Sequence, residues 1–162
     1  MKERLDYRKV APGVSHAMRA LNEYLQTCGL EGSLLELVKI RASQMNGCAQ
    51  CLDMHTKDAR AKGESEQRLN LVAAWREAPL FTARERAALE WTESVTYLHE
   101  GHVPDEVYRR ARKHFAEKEL VDLTLAVVSI NGYNRLNVAF KTVAGSYRPK
   151  IVTRSSLATR TA

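Results

Sequence analysis

Two cysteines and a histidine in the first third of this 162-residue chain have the types and spacing to do redox chemistry. Cys48 and Cys51 are three residues apart, and His55 follows four residues later, after the turn signal Asn46-Gly47. On an α-helix these offsets place all three side chains on one face. A helix start here leaves Cys48 in the first turn, where unpaired N–H groups and the helix dipole favour a thiolate. Thiol pairs in such positions carry out disulfide exchange and peroxide chemistry.

Peroxide reduction needs more than the two sulfurs. One thiolate attacks the O–O bond and becomes a sulfenic acid, and a second thiol condenses with it to a disulfide that an external reductant reopens. Other groups must move protons during these steps. His55 lies one helical turn beyond Cys51, and Glu36 lies on the preceding predicted helix. If these two helices form a hairpin around Asn46-Gly47, Glu36 can reach the same pocket.

The elements that must position these residues are predicted to be helices. Apolar residues recur every three or four positions along the chain, and no segment alternates with a period of two. The fold prediction is therefore an all-α bundle of about six or seven helices. Residues 1–12 are predicted to be an extended arm. The predicted helices cover residues 13–28, a segment capped by Ser33, Cys48 to Lys62, a segment capped by Ser65, a segment opened by a capping box at Thr82 and Glu85, one from Pro104-Asp105, and a long apolar helix from Leu120 past Gly132.

Three asparagines interrupt the apolar surface of that last helix. Asn131, Asn134 and Asn137 follow one another at intervals of three. Because buried amides need hydrogen-bond partners, we expect these residues to line either the pocket or an interface.

Composition indicates one ordinary globular domain. The chain is 44% hydrophobic and 27% charged, and its length can bury a real core. We expect a single domain over residues 1–145. Residues 146–162 contain several basic residues and no acidic one, so this tail is either disordered or packed on a neighbouring subunit. The three cysteines are too few, and odd in number, for a disulfide scaffold.

Charge and hydropathy argue against two classes of partner, nucleic acids and membranes. The net charge of +6 is moderate, and no recognisable nucleic-acid-binding motif accompanies it, so we expect no nucleic-acid partner. No apolar run approaches the roughly 18 residues of a membrane helix, and the first residues are charged rather than signal-like. The sequence predicts a cytoplasmic protein without a membrane partner, whose thiols stay reduced between catalytic events.

The sequence also resembles a known protein family. Glu36, eleven further residues and then Cys48-x-x-Cys51-x-x-x-His55 match the pattern of the AhpD-like alkylhydroperoxidases in the carboxymuconolactone decarboxylase superfamily. The setting of the motif, and the later segment 131–137, also look like members of this family. The resemblance covers about residues 10–145.

The resemblance implies an all-helical homo-oligomer, a trimer or hexamer, with thiol peroxidase activity. The residues themselves require no bound metal or organic cofactor. By position, Cys51 resembles the peroxidatic cysteine and Cys48 the resolving one, while Glu36 and His55 resemble the proton relay. The implied substrate is a hydroperoxide, and the implied reductant is a dithiol such as a lipoyl domain or a thioredoxin-like protein. Gln50 is a departure, because the AhpD type has a histidine between the cysteines, and glutamine cannot exchange a proton at neutral pH.

Other functions compete with the peroxidase. A structural zinc site would use Cys48, Cys51 and His55, but no second ligand pair accompanies them. Its fourth ligand would come from Cys28, His99, His102 or His114. A thioredoxin-like enzyme would have a βαβ pattern around the Cys-x-x-Cys motif, and this sequence has none. A decarboxylase of the superfamily does not use the cysteine pair, and a redox-sensing or binding module would not turn over.

Some residues also have plain structural interpretations. The two cysteines could be core thiols. Glu36 could simply pair with Lys39, three residues later on its own helix. His55 could be a surface histidine or a helix-cap partner.

Overall fold

The protein is an all-α bundle, as predicted. The computed structural model describes residues 2–98 and 101–149, and within these ranges it contains eight α-helices, one short 3₁₀ turn and no strand. The helices are α1 Tyr7–Val10, α2 Pro12–Leu25, α3 Gly32–Met45, α4 Ala49–Ala61, α5 Glu66–Leu71, α6 Ala83–Thr96, α7 Asp105–Arg112 and α8 Glu117–Phe140, with the 3₁₀ turn Val72–Ala74 between α5 and α6.

Several helix boundaries follow the sequence signals. Ser65 caps α5 by accepting a hydrogen bond from the Arg68 backbone N–H. Thr82 and Glu85 form the predicted reciprocal capping box at α6. Gly63 follows α4 with a φ of +96°, a left-handed conformation that glycine adopts without strain. Local turn chemistry therefore determines where these helices start and stop.

The predictions for the first residues and for one cap were wrong. Residues 7–10 form a helical turn instead of an extended arm, because the Asp6 side chain caps it by accepting from the Arg8 backbone N–H. Helix α3 begins at Gly32, so Ser33 lies inside the helix and not at its cap. The short α1 also brings the number of helices to eight in the described part of the chain, one more than the upper prediction.

Helix α3 is the centre of the bundle and contacts α4, α6 and α8. It is buried on more than one side, which suits a helix that other helices surround. Its residues enter two hydrophobic clusters. The first joins α3 to α6, α7 and α8 and includes Leu34, Val38, Ala88, Ala111 and Leu123. The second joins α3 to α4, α5 and α6 and includes Leu37, Ile40, Ala59, Leu69 and Leu89.

The long helix α8 packs against α2, α3, α4 and α6. Its hydrophobicity is nearly uniform around the axis, and it buries residues along most of its length. None of the helices in the described ranges is both long and apolar enough to cross a membrane. After α8 the chain turns back, and residues 143–149, which we call the C-terminal strap, reach α4. The rest of the predicted tail, residues 150–162, lies outside the described residues.

Candidate active site

The two cysteines lie at the start of α4 and are joined as a disulfide. Cys48 is the N-cap residue, and its sulfur accepts a hydrogen bond from the Cys51 backbone N–H at 3.3 Å. Their Cα atoms are 5.4 Å apart, and their exposed fractions are 1% and 0%. They share a small buried cluster with Ala42 and Ile130. The pair is thus a redox-capable group at a helix N-terminus, shielded from solvent in its oxidised form.

Glu36 and His55 meet across the α3–α4 hairpin. The hairpin turns at Asn46-Gly47, where Gly47 has a φ of +63°. His55 Nδ1 lies 2.8 Å from Glu36 Oε2, and both residues are buried, with exposed fractions of 8% and 3%. The structure therefore brings these two sequence-predicted residues into direct contact, one helical turn beyond Cys51.

Two ammonium groups also face the Glu36 carboxylate. Lys62 Nζ lies 2.7 Å and Lys39 Nζ 3.4 Å from Glu36 Oε1. Burial on its own raises the pKa of Glu36. The hydrogen bond with His55 and the positive charges of the two lysines outweigh it and hold the pKa of Glu36 well below its ordinary range. The carboxylate is therefore ionised at neutral pH.

The asparagines of α8 face the active site and the turn before it. Asn137 donates its amide to the Cys51 sulfur at 3.3 Å. Asn46 donates to the side-chain oxygens of Asn131 and Asn134, at 2.7 and 2.9 Å. Asn134 in turn donates to Ser43 on α3, at 3.0 Å. These amides fix the turn that leads into Cys48 and supply a polar donor to Cys51.

A cleft approaches the site between α2, α3, α4 and α8. It has two connected parts of about 390 and 280 Å³, which share Asn22, Lys39, Met54 and His55. Glu36 and Lys62 line the larger part, and Ile130 and Tyr133 line the smaller one. Neither sulfur lines the cleft. Ile130 lines the smaller part of the cleft and also belongs to the buried cluster that contains the two cysteines.

The C-terminal strap contributes a tyrosine. Tyr147 donates its hydroxyl to Asp58 Oδ1 at 2.7 Å, and Asp58 lies on α4 three residues after His55. The strap is held at two further points, since the Gly145 N–H donates to Asp53 at 3.0 Å and Lys57 donates to the Tyr147 carbonyl at 3.2 Å. Burial, together with the nearby Asp58, raises the pKa of Tyr147 to about 12. The hydroxyl therefore keeps its proton at neutral pH.

Glu36, His55 and Asp58 are the one group of potential metal-binding side chains found in the described ranges, with donor atoms within 4.8 Å of one another. These atoms already have partners. Lys62 binds Glu36, and Tyr147 binds Asp58. Two ammonium groups next to the Glu36 carboxylate also oppose a cation. We therefore interpret the group as a hydrogen-bonded ion-pair network.

The zinc arrangement considered from the sequence has no support in the described residues. Cys48 and Cys51 are bonded to each other, and no ligand group joins them and His55 to Cys28, His102 or His114 in those ranges. The remaining candidate ligand, His99, lies outside the described residues.

Gln50 occupies the first turn of α4 between the two cysteines. Its side-chain oxygen is buried and has no hydrogen-bond partner in the described part of the protein.

Sequence reasoning missed Lys62, Asp58 and Tyr147. A lysine at the end of α4 and a tyrosine beyond the last helix carry no motif that predicts contact with Glu36 or Asp58. For Asn137 the sequence did indicate a pocket or interface position, because a buried amide on an apolar helix needs a hydrogen-bond partner.

Comparison with known proteins gives the family. Residues 12–94 match the model of the carboxymuconolactone decarboxylase family. The chain is 42% identical over 146 residues to the uncharacterized protein YdfG of Bacillus subtilis, and the match covers 90% of this chain and 99% of that protein. The crystal structure of a protein of unknown function from Agrobacterium tumefaciens, proposed to be the antioxidant defence protein AhpD, is 42% identical with a TM-score of 0.87. It covers 90% of this chain and 100% of its own.

A more distant structure shares the fold. It is described as an alkylhydroperoxidase AhpD core and comes from an uncharacterized peroxidase-related protein of Ralstonia eutropha. It is 20% identical, with a TM-score of 0.76, and the match covers 86% of this chain and 74% of that one. The chain belongs to the carboxymuconolactone decarboxylase family and is an AhpD-like member of that superfamily.

Proposed function

We propose that this protein is a thiol-dependent hydroperoxide reductase in which Cys51 is the peroxidatic cysteine and Cys48 the resolving one. The Cys51 thiolate attacks the hydroperoxide, the O–O bond breaks, and the leaving alkoxide takes a proton to become an alcohol. Cys51 is then a sulfenic acid. The Cys48 thiolate attacks its sulfur, and the S–O bond breaks. The hydroxide leaves as water, and the Cys48–Cys51 disulfide remains until a dithiol reduces it and becomes a disulfide itself.

The observation that carries the proposal is the buried contact between His55 and Glu36, 2.8 Å long and one turn of α4 beyond Cys51. An ionised Glu36 keeps a proton on Nδ1 of His55, so Nε2 is the nitrogen available for exchange. His55 can then take the proton of the attacking thiol and return it to the leaving alkoxide. A purely structural pair of core thiols needs no such buried acid–base couple beside it.

The surroundings of Cys51 support its assignment as the attacking sulfur. The Asn137 amide hydrogen bonds to this sulfur at 3.3 Å, and a hydrogen bond to the charged form of a group favours that form. Cys48 lies one turn away, within bonding distance, so it can resolve the sulfenic acid without a large backbone movement.

The protein as proposed works as a homo-oligomer, a trimer or hexamer, with a lipoyl domain or thioredoxin-like protein as its reductant. Exposed apolar side chains support the oligomer. Val121 and Val128, seven residues apart, form an exposed stripe on α8, and Val14 and Tyr24 are exposed on the neighbouring α2. Exposed apolar side chains on two neighbouring helices are suited to contact with another protein surface. The proposed site of action is the cytoplasm, where dithiol reductants are maintained.

Peroxide consumption with a dithiol reductant tests the proposal. Wild-type protein, Cys51→Ser and Cys48→Ser would be compared with tert-butyl hydroperoxide as substrate, with Cys28→Ser as the matched control because it removes a cysteine outside the pair. We expect turnover in the wild type and Cys28→Ser, and loss of sustained turnover in the other two variants. Turnover by Cys51→Ser at the wild-type rate would refute the proposed chemistry.

A further inference from the structure

The C-terminal strap brings a tyrosine to a second carboxylate beside the proposed relay. Tyr147 donates to Asp58 Oδ1 at 2.7 Å, and the strap around it is fixed by the bonds from Gly145 to Asp53 and from Lys57 to the Tyr147 carbonyl. Lys57 also forms a 2.6 Å ion pair with Asp53. Three polar contacts along one stretch of α4 therefore hold the Tyr147 hydroxyl in place. The proposed peroxidase reaction assigns no role to this arrangement.

The Asp58 carboxylate is close enough to compete with Glu36 for the same partners. Its oxygen, a ring nitrogen of His55 and an oxygen of Glu36 all lie within 4.8 Å of one another. Lys62, four residues after Asp58, binds Glu36 at 2.7 Å while its side chain remains half exposed. A small rotation of Asp58 would bring a second negative charge towards His55, and opposite charges at such distances shift a proton equilibrium by about one to three pH units.

We propose that Tyr147, acting through Asp58, is a positioning residue that keeps His55 paired with Glu36 alone. The hydroxyl occupies one oxygen of Asp58 and holds the carboxylate towards the strap. Glu36 then remains the acceptor for His55 and the anion for Lys62. This inference rests on the proposed function for its catalytic meaning, although the positioning itself can be measured without turnover.

The charged and titratable groups around His55 make the prediction specific. Helix α3 contributes Glu36 and Lys39, and α4 contributes Asp58, Lys62 and, in the reduced protein, Cys51. Helix α8 contributes Tyr133 and the strap contributes Tyr147, while α2 contributes the neutral Asn22. Among these groups, Tyr147→Phe removes no charge, but it releases the Asp58 carboxylate, whose negative charge is already present. Asp58→Asn removes that charge.

The two substitutions should therefore move the His55 titration in opposite directions. In Tyr147→Phe, Asp58 is free to approach His55, and the imidazolium holds its proton more tightly. In Asp58→Asn, one negative charge is gone, and the imidazolium releases its proton more easily. We expect the midpoint to move up in the first variant and down in the second. The double variant should match Asp58→Asn, because Tyr147 acts only through Asp58.

The experiment is an NMR titration of the His55 ring in the full chain, paired with the pH profile of kcat/KM for hydroperoxide reduction. Tyr108→Phe, on the exposed surface of α7, is the matched control and should leave both curves unchanged. Opposite shifts in the single variants, with the double variant following Asp58→Asn, would support the proposal. Shifts of the same sign, or no shift in Tyr147→Phe, would overturn it.

The two proposals can fail separately. If the His55 midpoints shift in opposite directions but the wild-type protein reduces no hydroperoxide, the positioning role of Tyr147 is supported and the proposed function is refuted. If the wild type is active and the Tyr147→Phe profile overlies it, this inference is refuted and the proposed function is supported. Circular dichroism of each variant separates a local effect from loss of the fold.

Discussion

The side-chain amide of Asn137 donates a 3.3 Å hydrogen bond to the sulfur of Cys51, so the last helix directly contacts the redox pair. The other end of the same amide accepts a 3.4 Å hydrogen bond from the Tyr7 hydroxyl. Tyr7 is buried on the short α1, so the first and last helices jointly orient the donor that points at Cys51. A helix that is otherwise apolar therefore supplies the reactive sulfur with a fixed polar neighbour.

Replacing Asn137 with alanine should make Cys51 less reactive. The lost N–H no longer stabilises the thiolate, and a hydrogen bond to a charged group contributes about 1.5–3 kcal/mol. We expect the alkylation of Cys51 by iodoacetamide at pH 7 to slow by about tenfold in the reduced protein. Mass spectrometry of the peptides separates this cysteine from the other two.

Asn134→Ala is the matched control, because Asn134 lies on the same helix but bonds to Ser43 and Asn46. It should destabilise the fold by about 1–3 kcal/mol and leave the Cys51 alkylation rate within about twofold. Equal slowing in both variants would contradict a direct role for the Asn137 amide.

The local parts of the structure were predictable from the sequence, while contacts between distant segments were not. Capping residues such as Ser65 and Thr82 set helix starts by hydrogen bonds within a few residues, so their effect is visible in the sequence. The cysteine spacing likewise determined the shared helix face. Tyr147 differs, because its contact with Asp58 depends on how the chain returns after α8. The short α1 was missed because its one stabilising signal is the Asp6 cap.

The buried Glu36 should make the stability of the fold decrease at acidic pH. Its folded pKa lies below its ordinary value of 4.5, since the bonds to His55 and the lysines outweigh the effect of burial. At pH values between the folded and the unfolded pKa of Glu36, the unfolded chain binds more protons than the folded one. The free energy of unfolding therefore falls as the pH falls. The contribution of Glu36 is fully present above about pH 5 and is lost progressively below pH 4.5.

Glu36→Gln should therefore cost about 1–3 kcal/mol at pH 7, with a difference from wild type that shrinks as the pH falls below 4.5. Urea unfolding at a series of pH values measures both quantities. Glu106→Gln changes an exposed carboxylate that pairs with Arg109 on the surface, and it should differ little from wild type at any pH. A constant gap between Glu36→Gln and wild type from pH 7 to pH 3 would contradict the account.

Gln50→His should increase turnover. The glutamine oxygen is buried without a partner among the described residues, and a histidine between the cysteines would add a group that exchanges protons near neutral pH. We expect kcat/KM for tert-butyl hydroperoxide to rise by about tenfold, which is below the usual contribution of about 10²–10⁴-fold because His55 and Glu36 are proposed to move protons already. Gln50→Ala is the control and should match the wild type, because glutamine moves no proton. A loss of activity in Gln50→Ala would show that the amide itself takes part.

Val128→Arg should disrupt the proposed oligomer. The valine is 52% exposed on the α8 stripe, and a buried, unpaired charge at an interface is strongly unfavourable. Light scattering after size-exclusion chromatography should give a trimer or hexamer for the wild type and a smaller species for the variant. Glu106→Arg, at an exposed charged position on α7, should keep the wild-type mass. A monomeric wild type would rule out the oligomer.

The most direct test of the central claim is the trapping of a sulfenic acid at Cys51. In reduced Cys48→Ser the resolving thiol is gone, so one equivalent of hydroperoxide should leave Cys51 oxidised and unable to form the disulfide. Dimedone labelling followed by peptide mass spectrometry should then find the adduct on Cys51 and not on Cys28, with one alcohol formed per chain. An unlabelled Cys51 together with unconsumed hydroperoxide would contradict the account.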